Sequence, residues 1–276
     1  METVSTNLSF GGTQGVYTHQ STSTGTQMTF AVFVPPQAAT QSCPVVWYLS
    51  GLTCSHANVM DKGEYRRKAA ELGLIIVCPD TSPRGDDVAN DESWQMGQGA
   101  GFYVDATQEP WSKHFQMYSY ITQELPALIA ENFPADMSRQ GITGHSMGGH
   151  GALTIALKNP DTFKSCSAFA PITNPSTAEW SKGALTTYLG ADQAAWADYD
   201  AVRLIEKGAK FPALLVDQGA ADNFFDGCNP HALQSACVDT DIALTLRLQE
   251  GYDHSYFFIS TFMDDHLTWH ADRLSK

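Results

Sequence analysis

Gly144-His145-Ser146-Met147-Gly148 fits the pattern G-x-S-x-G, a single serine hemmed in by glycines. A serine hydroxyl is a weak nucleophile until a base takes its proton, and that base must itself be held by a third group. A nucleophile elbow supplies the geometry: a cramped strand–turn–helix corner where neighbours press close and only small residues fit beside the serine. The flanks suit such a corner. Gln140–Thr143 reads as the end of a strand, and Gly149–Lys158, closed by Asn159-Pro160, reads as a helix. No G-K-[ST] follows the glycines and no G-x-G-x-x-G opens the helix, which argues against a phosphate-binding loop.

With the elbow at the rim of a parallel sheet, the acid and the histidine follow later in the chain, in that order. After the apolar run Ala213–Val216 comes DQGAADNFFDG, which offers Asp217, Asp222 and Asp226. Asp217 sits at the strand end and reads as closing the turn, and Asp226 before Gly227 reads as a further turn. Asp222, with a Gly-Ala-Ala turn before it, has the reach an orienting carboxylate needs. For the base, Gly251-Tyr252-Asp253 is a loop that delivers His254 just ahead of an aromatic helix. His150 lies inside the helix after the elbow, pointing away, and His231 follows Pro230 on a helix. His266 and His270 are spaced i, i+4 and read as surface residues, and without the glutamate of H-E-x-x-H they make no metal site. The catalytic candidates are therefore Ser146, Asp222 and His254, with no metal and no cofactor.

An oxyanion needs two donors. The N–H of Met147 follows the serine directly, and the second comes from the loop SGLTCSH, where the N–H of Leu52 is the choice. Cys54, two residues on, is either a small buried hydrophobe or a thiol lining the pocket. His145, Trp94 and Trp180 are further candidates for the lining.

These groups need a scaffold. The runs Met28–Val34, Val45–Leu49, Leu74–Cys78, Cys166–Phe169, Ala213–Val216 and Ile242–Leu248 read as strands buried on both faces. Helical stretches alternate with them. Asp61–Glu71 ends at Leu72-Gly73, and Phe115–Ala130 carries an apolar stripe that Pro126 must kink or split. That alternation predicts an α/β fold, a mostly parallel twisted sheet of about eight strands with helices on both faces, in one domain over residues 1–276. Ser82–Trp111, rich in Gly, Asp, Asn and Gln yet bearing aromatics, reads as an excursion over one end of the sheet.

Composition sets the outer bounds. A net charge of −14 repels phosphate backbones and anionic lipid, which argues against nucleic-acid and membrane-surface partners. The N-terminal METVSTNLSFGG lacks a basic and an apolar region, no run is long enough to span a bilayer, and the six cysteines form no C-x-x-C pair. A cytoplasmic protein with reduced thiols is expected.

The blocks WYLSGLTCSHANV, DTSPRGDD, GAGFYVDAT, GHSMGGHGALTIALKNP, DQGAADNF and RLQEGYDHSYFFISTFMDDH resemble the S-formylglutathione hydrolases, or esterase D family, from about Phe10 to His270. The resemblance implies an α/β-hydrolase fold, a cytoplasmic homodimer, and hydrolysis of S-formylglutathione to formate and glutathione in formaldehyde detoxification. It also places the family's triad on Ser146, Asp222 and His254, and implies cleavage of small aryl and short-chain esters. The alternatives are a broad short-chain carboxylesterase with the same triad, a related acyltransferase, and a non-catalytic binding protein of this fold.

Overall fold

In the computed structural model, which describes residues 1–275, nine strands form one sheet in the order β1-β2-β3-β5-β4-β6-β7-β8-β9. In chain order these are β1 (Glu2–Ser9), β2 (Gly12–Gln20), β3 (Gln27–Val34), β4 (Cys43–Leu49), β5 (Ile75–Pro79), β6 (Ala135–Gly144), β7 (Phe163–Phe169), β8 (Ala213–Gly219) and β9 (Ala243–Gln249). The strands from β5 across to β9 are parallel, and β1, β2 and β3 join antiparallel at one side. This is the mostly parallel α/β architecture the alternating pattern predicted, with nine strands where about eight were expected and an additional N-terminal ribbon, and it agrees with the fold the resemblance implies.

Strands β1 and β2 carried no readable signal. The side chains of β1 are almost all exposed on both faces, so no apolar alternation marks it. Its turn into β2 is Phe10-Gly11, both at positive φ, a two-residue connection in which a phenylalanine stands where Asn or Asp would have been legible. At the other edge, β9 alternates exposed and half-buried positions, so Ile242–Leu248 is not a strand buried on both faces as expected.

The helices, in chain order, are α1 (His56–Lys62), α2 (Tyr65–Leu72), α3 (Met117–Ser119), α4 (Leu125–Asn132), α5 (Met147–Lys158), α6 (Glu179–Leu189), α7 (Gln193–Trp196), α8 (Ala201–Glu206), α9 (Phe225–Cys228), α10 (Pro230–Cys237) and α11 (Tyr256–Leu274). One face of the sheet packs against α4, α5, α8 and α10, the other against α1, α2 and α11, which produces two apolar layers. The expected helix Asp61–Glu71 is two helices, because Gly63 and left-handed Glu64 (φ 55°) break it. Gly73, at φ 69°, caps the second as predicted. Pro126 splits its helix by a π turn, Tyr120–Glu124, directly ahead of α4.

The carboxyl ends of β4, β6, β8 and β9 lie side by side or one strand apart along one rim. Parallel sheets open their crevices there, so residues more than a hundred positions apart in sequence share one edge. Trp47 Nε1 donates to Gln140 Oε1 at 2.9 Å and ties β4 to β6 beneath that rim.

Candidate active site

β6 ends at Gly144 and α5 begins at Met147, and between them Ser146 sits at φ 57°, ψ −119°. A β-carbon-bearing residue holds such a conformation only when its surroundings over-determine it. Here both neighbouring strands do so: the Ser146 N–H donates to Phe169 O at 2.9 Å and the His145 N–H to Leu49 O at 3.0 Å. The next turn is fixed by Gly148 N–H to His145 O (2.7 Å) and His150 N–H to Ser146 O (2.9 Å). The glycines serve space rather than backbone freedom, since none from Gly141 to Gly151 has positive φ. A β-carbon on Gly148 would overlap the Leu49 carbonyl, and one on Gly144 the Gly148 carbonyl.

The loops after β8 and β9 bring Asp222 and His254 together. His254 Nδ1 lies 2.6 Å from Asp222 Oδ2, the carboxylate oxygen that also accepts from Gln218 Nε2 at 2.8 Å. The Phe224 N–H donates to Oδ1 at 2.6 Å. Burial disfavours the Asp222 anion, but the bonds from His254, Phe224 and Gln218 outweigh it and hold the carboxyl below its ordinary value. With Nδ1–H donated to a carboxylate, Nε2 of His254 keeps its lone pair, as a base must. His254 and Ser146 line one cavity of about 280 Å³ with Gly51, Leu52, Thr53, Cys54, Trp94, His145, Trp180, Phe224, Cys228 and Tyr256. Among the described residues Ser146 Oγ makes no hydrogen bond. In unliganded enzymes such contacts are often long and tighten when substrate arrives.

His145 packs its ring 4.4 Å from that of His254, and Phe224 covers His254 from 5.0 Å. Burial, and then the neighbouring imidazole, push the His145 pKa well below its ordinary value, so it stays neutral beside the base. Among the described residues, neither the Leu52 nor the Met147 N–H has an acceptor. The Ser50–Ser55 loop that presents Leu52 is braced by the long Ser82–Trp111 excursion: Thr53 N–H donates to Gly99 O at 2.9 Å and Tyr103 Oη to Ser50 O at 2.8 Å. Burial raises the Cys54 thiol pKa, so it is protonated at neutral pH although it lines the cavity. Trp94 is half exposed at the mouth, 6.5 Å from Phe224, and Trp180 is partly buried against Phe102.

Three readings need correction. His266 and His270 are not surface residues: both are fully buried. His266 bridges Ser167 Oγ (2.9 Å) and Asp217 Oδ2 (3.2 Å), while His270 bridges Ser165 Oγ (2.6 Å) and Ser167 Oγ (2.9 Å). Asp217 does not close a turn; it lies buried within β8, paired with Arg247 of β9 at 2.5 Å. Asp226 belongs to α9. His150 is buried and bonded to Phe102 O at 3.1 Å, away from the cavity. Phe224, Cys228, Tyr256 and Gln218 were not foreseen. Gln218 and Phe224 flank Asp222 within DQGAADNF and Tyr256 stands two residues past His254, so only Cys228 lay outside the blocks that carry the acid and the histidine. Among the described residues the one cluster with metal-ligand geometry is Asp222, Cys228 and His254, which includes the hydrogen-bonded Asp222–His254 pair.

The model of the Esterase family matches residues 21–269. The chain is 55% identical over 273 residues to an S-formylglutathione hydrolase of Paracoccus denitrificans, covering 99% of this chain and 98% of that one. It is 50% identical to one from Bos taurus, covering 100% of this chain and 99% of the other. A solved S-formylglutathione hydrolase from Agrobacterium tumefaciens superposes with a TM-score of 0.99 at 67% identity, covering 99% of this chain and all of that one. More distant is FphF, a fluorophosphonate-binding serine hydrolase of Staphylococcus aureus (TM-score 0.73, 19% identity, 94% and 98% covered), a likeness of fold.

Proposed function

The chain belongs to the Esterase family, in its S-formylglutathione hydrolase group, and from that premise we infer that it cleaves S-formylglutathione to formate and glutathione through an acyl-enzyme on Ser146. The observation that carries the site assignment is the 2.6 Å Asp222–His254 bond at the wall of the cavity onto which Ser146 opens. His254 Nε2 takes the Ser146 proton as Oγ attacks the formyl carbon, and Asp222 holds the imidazole in the tautomer that allows this. The N–H groups of Leu52 and Met147 stabilise the oxyanion. The C–S bond breaks, the thiolate takes the proton from His254, and glutathione departs. Water then gives a proton to His254 and attacks the formyl ester. The Oγ–C bond breaks, the proton returns to Ser146, and formate leaves. A thiol with a pKa near 8.5 is a far better leaving group than an alcohol, so protonation of sulfur need not be concerted.

Trp94 and Trp180 are among the residues that line the cavity of about 280 Å³, whose size suits a small acyl group. The apolar mouth formed by Trp94 and Phe224 also accommodates aryl esters, so a broad carboxylesterase is the second reading. Comparing kcat/KM for formyl, acetyl and butyryl thioesters of glutathione decides between them. A steep fall from formyl to butyryl is expected, and a preference for butyryl would overturn the first reading.

A homodimer is part of the same proposal. Val4, Leu8 and Phe10 stand exposed on or beside β1, the outer strand of the sheet, and a second copy would cover them. A reducing cytoplasmic location fits six cysteines that are all free.

A further inference from the structure

S-formylglutathione is an anion, with two carboxylates against one ammonium, and it must approach a chain of net charge −14. The cavity lining offers it no cation of its own. A local positive charge at the rim is therefore required if the charged thioester is to be preferred over neutral esters.

The cations near the cavity fall into two groups. Arg84 lies close, donating to Cys54 O at 2.9 Å, but it is already held by Asp80 through bonds of 2.9 to 3.1 Å. Lys182, two residues past Trp180, pairs with Glu179 at 3.2 Å. Lys62 differs. It closes the last turn of α1, is exposed, and forms no ion pair among the described residues. Its Nζ stands 6.0 Å from the centroid of the Tyr256 ring, and Tyr256 lines the cavity together with Ser146 and His254. Its charge also reaches the Cys54 thiol on the same wall, where it favours the anion. Asp61, the neighbouring acid, lines a separate cleft with Arg66, Ser5 and Asn7.

Lys62 is also well anchored. α1 starts directly after the loop that presents Leu52, its first turn is closed by a Ser55–Asn58 capping box, and Val59 is buried in the core. The ammonium thus has a fixed base and a free end beside Tyr256, which lines the cavity.

We propose that Lys62 receives a carboxylate of the glutathione moiety and sets the preference for the charged thioester. The inference rests on the reading of the chain as an S-formylglutathione hydrolase. Kinetics of Lys62→Met, Lys62→Glu and Lys62→Arg on S-formylglutathione and on neutral p-nitrophenyl acetate test it. Lys62→Met should raise KM for S-formylglutathione about 3- to 10-fold with kcat little changed, as expected for a rim charge acting on binding. Lys62→Glu should raise it further, and Lys62→Arg should stay within twofold of wild type. For the neutral ester, kcat/KM should move less than twofold in all three. Added salt should raise the wild-type KM for the thioester and leave that of Lys62→Met nearly flat. Unchanged thioester KM in Lys62→Met, or equal losses on both substrates, would overturn the role of Lys62 while leaving the enzyme assignment intact. A wild-type protein inert toward S-formylglutathione but active on the aryl ester would overturn the underlying functional reading instead.

Discussion

Ser146, largely buried at the cavity wall, holds a backbone conformation that side chains rarely adopt, and its own N–H donating to Phe169 O and the His145 N–H donating to Leu49 O keep it there. In the proposed mechanism the hydroxyl gains its reactivity through His254, and His254 its orientation through Asp222. Residues acting in series give non-additive losses, which sets the first prediction. Ser146→Ala and His254→Ala should each lower kcat by roughly 10⁵- to 10⁶-fold, and the double variant by hardly more. Asp222→Asn should lose about 10⁴-fold, because an amide at Asp222 can present its NH₂ to Nδ1 and stabilise the wrong tautomer. Short aryl-ester hydrolysis by protein of unchanged circular dichroism measures all of these. Appreciable activity in Ser146→Ala would remove the assigned nucleophile.

The β6–Ser146–α5 corner is where the sheet and helix approach most closely, and its glycines are irreplaceable for a steric reason. Gly148→Ala drives a methyl into the Leu49 carbonyl, part of the backbone, which cannot swing away as a side chain could. Loss of more than ~3 kcal/mol of stability, or failure to fold, is expected. Gly183, within α6, has nothing within 4 Å of the position a β-carbon would take. Gly183→Ala should instead stabilise by about 0.5–1 kcal/mol. Urea denaturation of the two variants separates crowding from conformational entropy as the reason for a glycine. A second fastening lies under α11, where His266 links the Ser167 hydroxyl of β7 to Asp217 of β8, and Arg247 of β9 completes the chain. His266→Leu strands a buried hydroxyl and weakens the support of a buried carboxylate. It should cost about 2–4 kcal/mol by denaturant titration, with KM for short esters unchanged because the network does not reach the cavity.

For the molecule as a whole, buried histidines set the acid limit, His145, His150, His266 and His270 foremost. Burial holds His145 and His266 below the ordinary value of 6.5 and pushes His150 down to about 4 and His270 to about 3. The unfolded chain binds these protons near pH 6.5 while the folded chain does not, so their contribution is complete above that pH and is lost as pH falls toward 4. Each histidine can add up to about 1.4 kcal/mol per pH unit to the slope. Denaturation midpoints at pH 7.5, 6 and 5 should therefore fall steeply, and a flat profile would show that these rings are not buried neutral in solution. Assembly is tested at the same scale. Wild type should sediment as a dimer and Leu8→Lys as a monomer that keeps its esterase activity; a monomeric wild type would reject β1 as the contact. Both expectations follow from where the fold puts a surface.

Much of the site was legible from local chemistry. The elbow motif needs small residues beside its serine, strands and helices alternate audibly in the apolar runs, and chain order leaves few acids and histidines to follow the elbow; these features are written in neighbouring residues. The N-terminal ribbon was hidden because a strand exposed on both faces, joined by a Phe-Gly turn, leaves no periodic trace. His266 and His270 were misplaced because i, i+4 spacing defines a helix face without saying whether that face meets water or a sheet. Phe224 over His254 and Lys62 beside Tyr256 meet their neighbours only once the segments after β8 and β9, α1 and α11 are assembled. Sequence by itself determined most of the central strands and the candidate reacting groups, since propensity, periodicity and motif spacing act over a few residues. Tertiary structure alone decided burial, electrostatic environment and which distant side chains share the cavity, because those depend on long-range packing that no local pattern encodes.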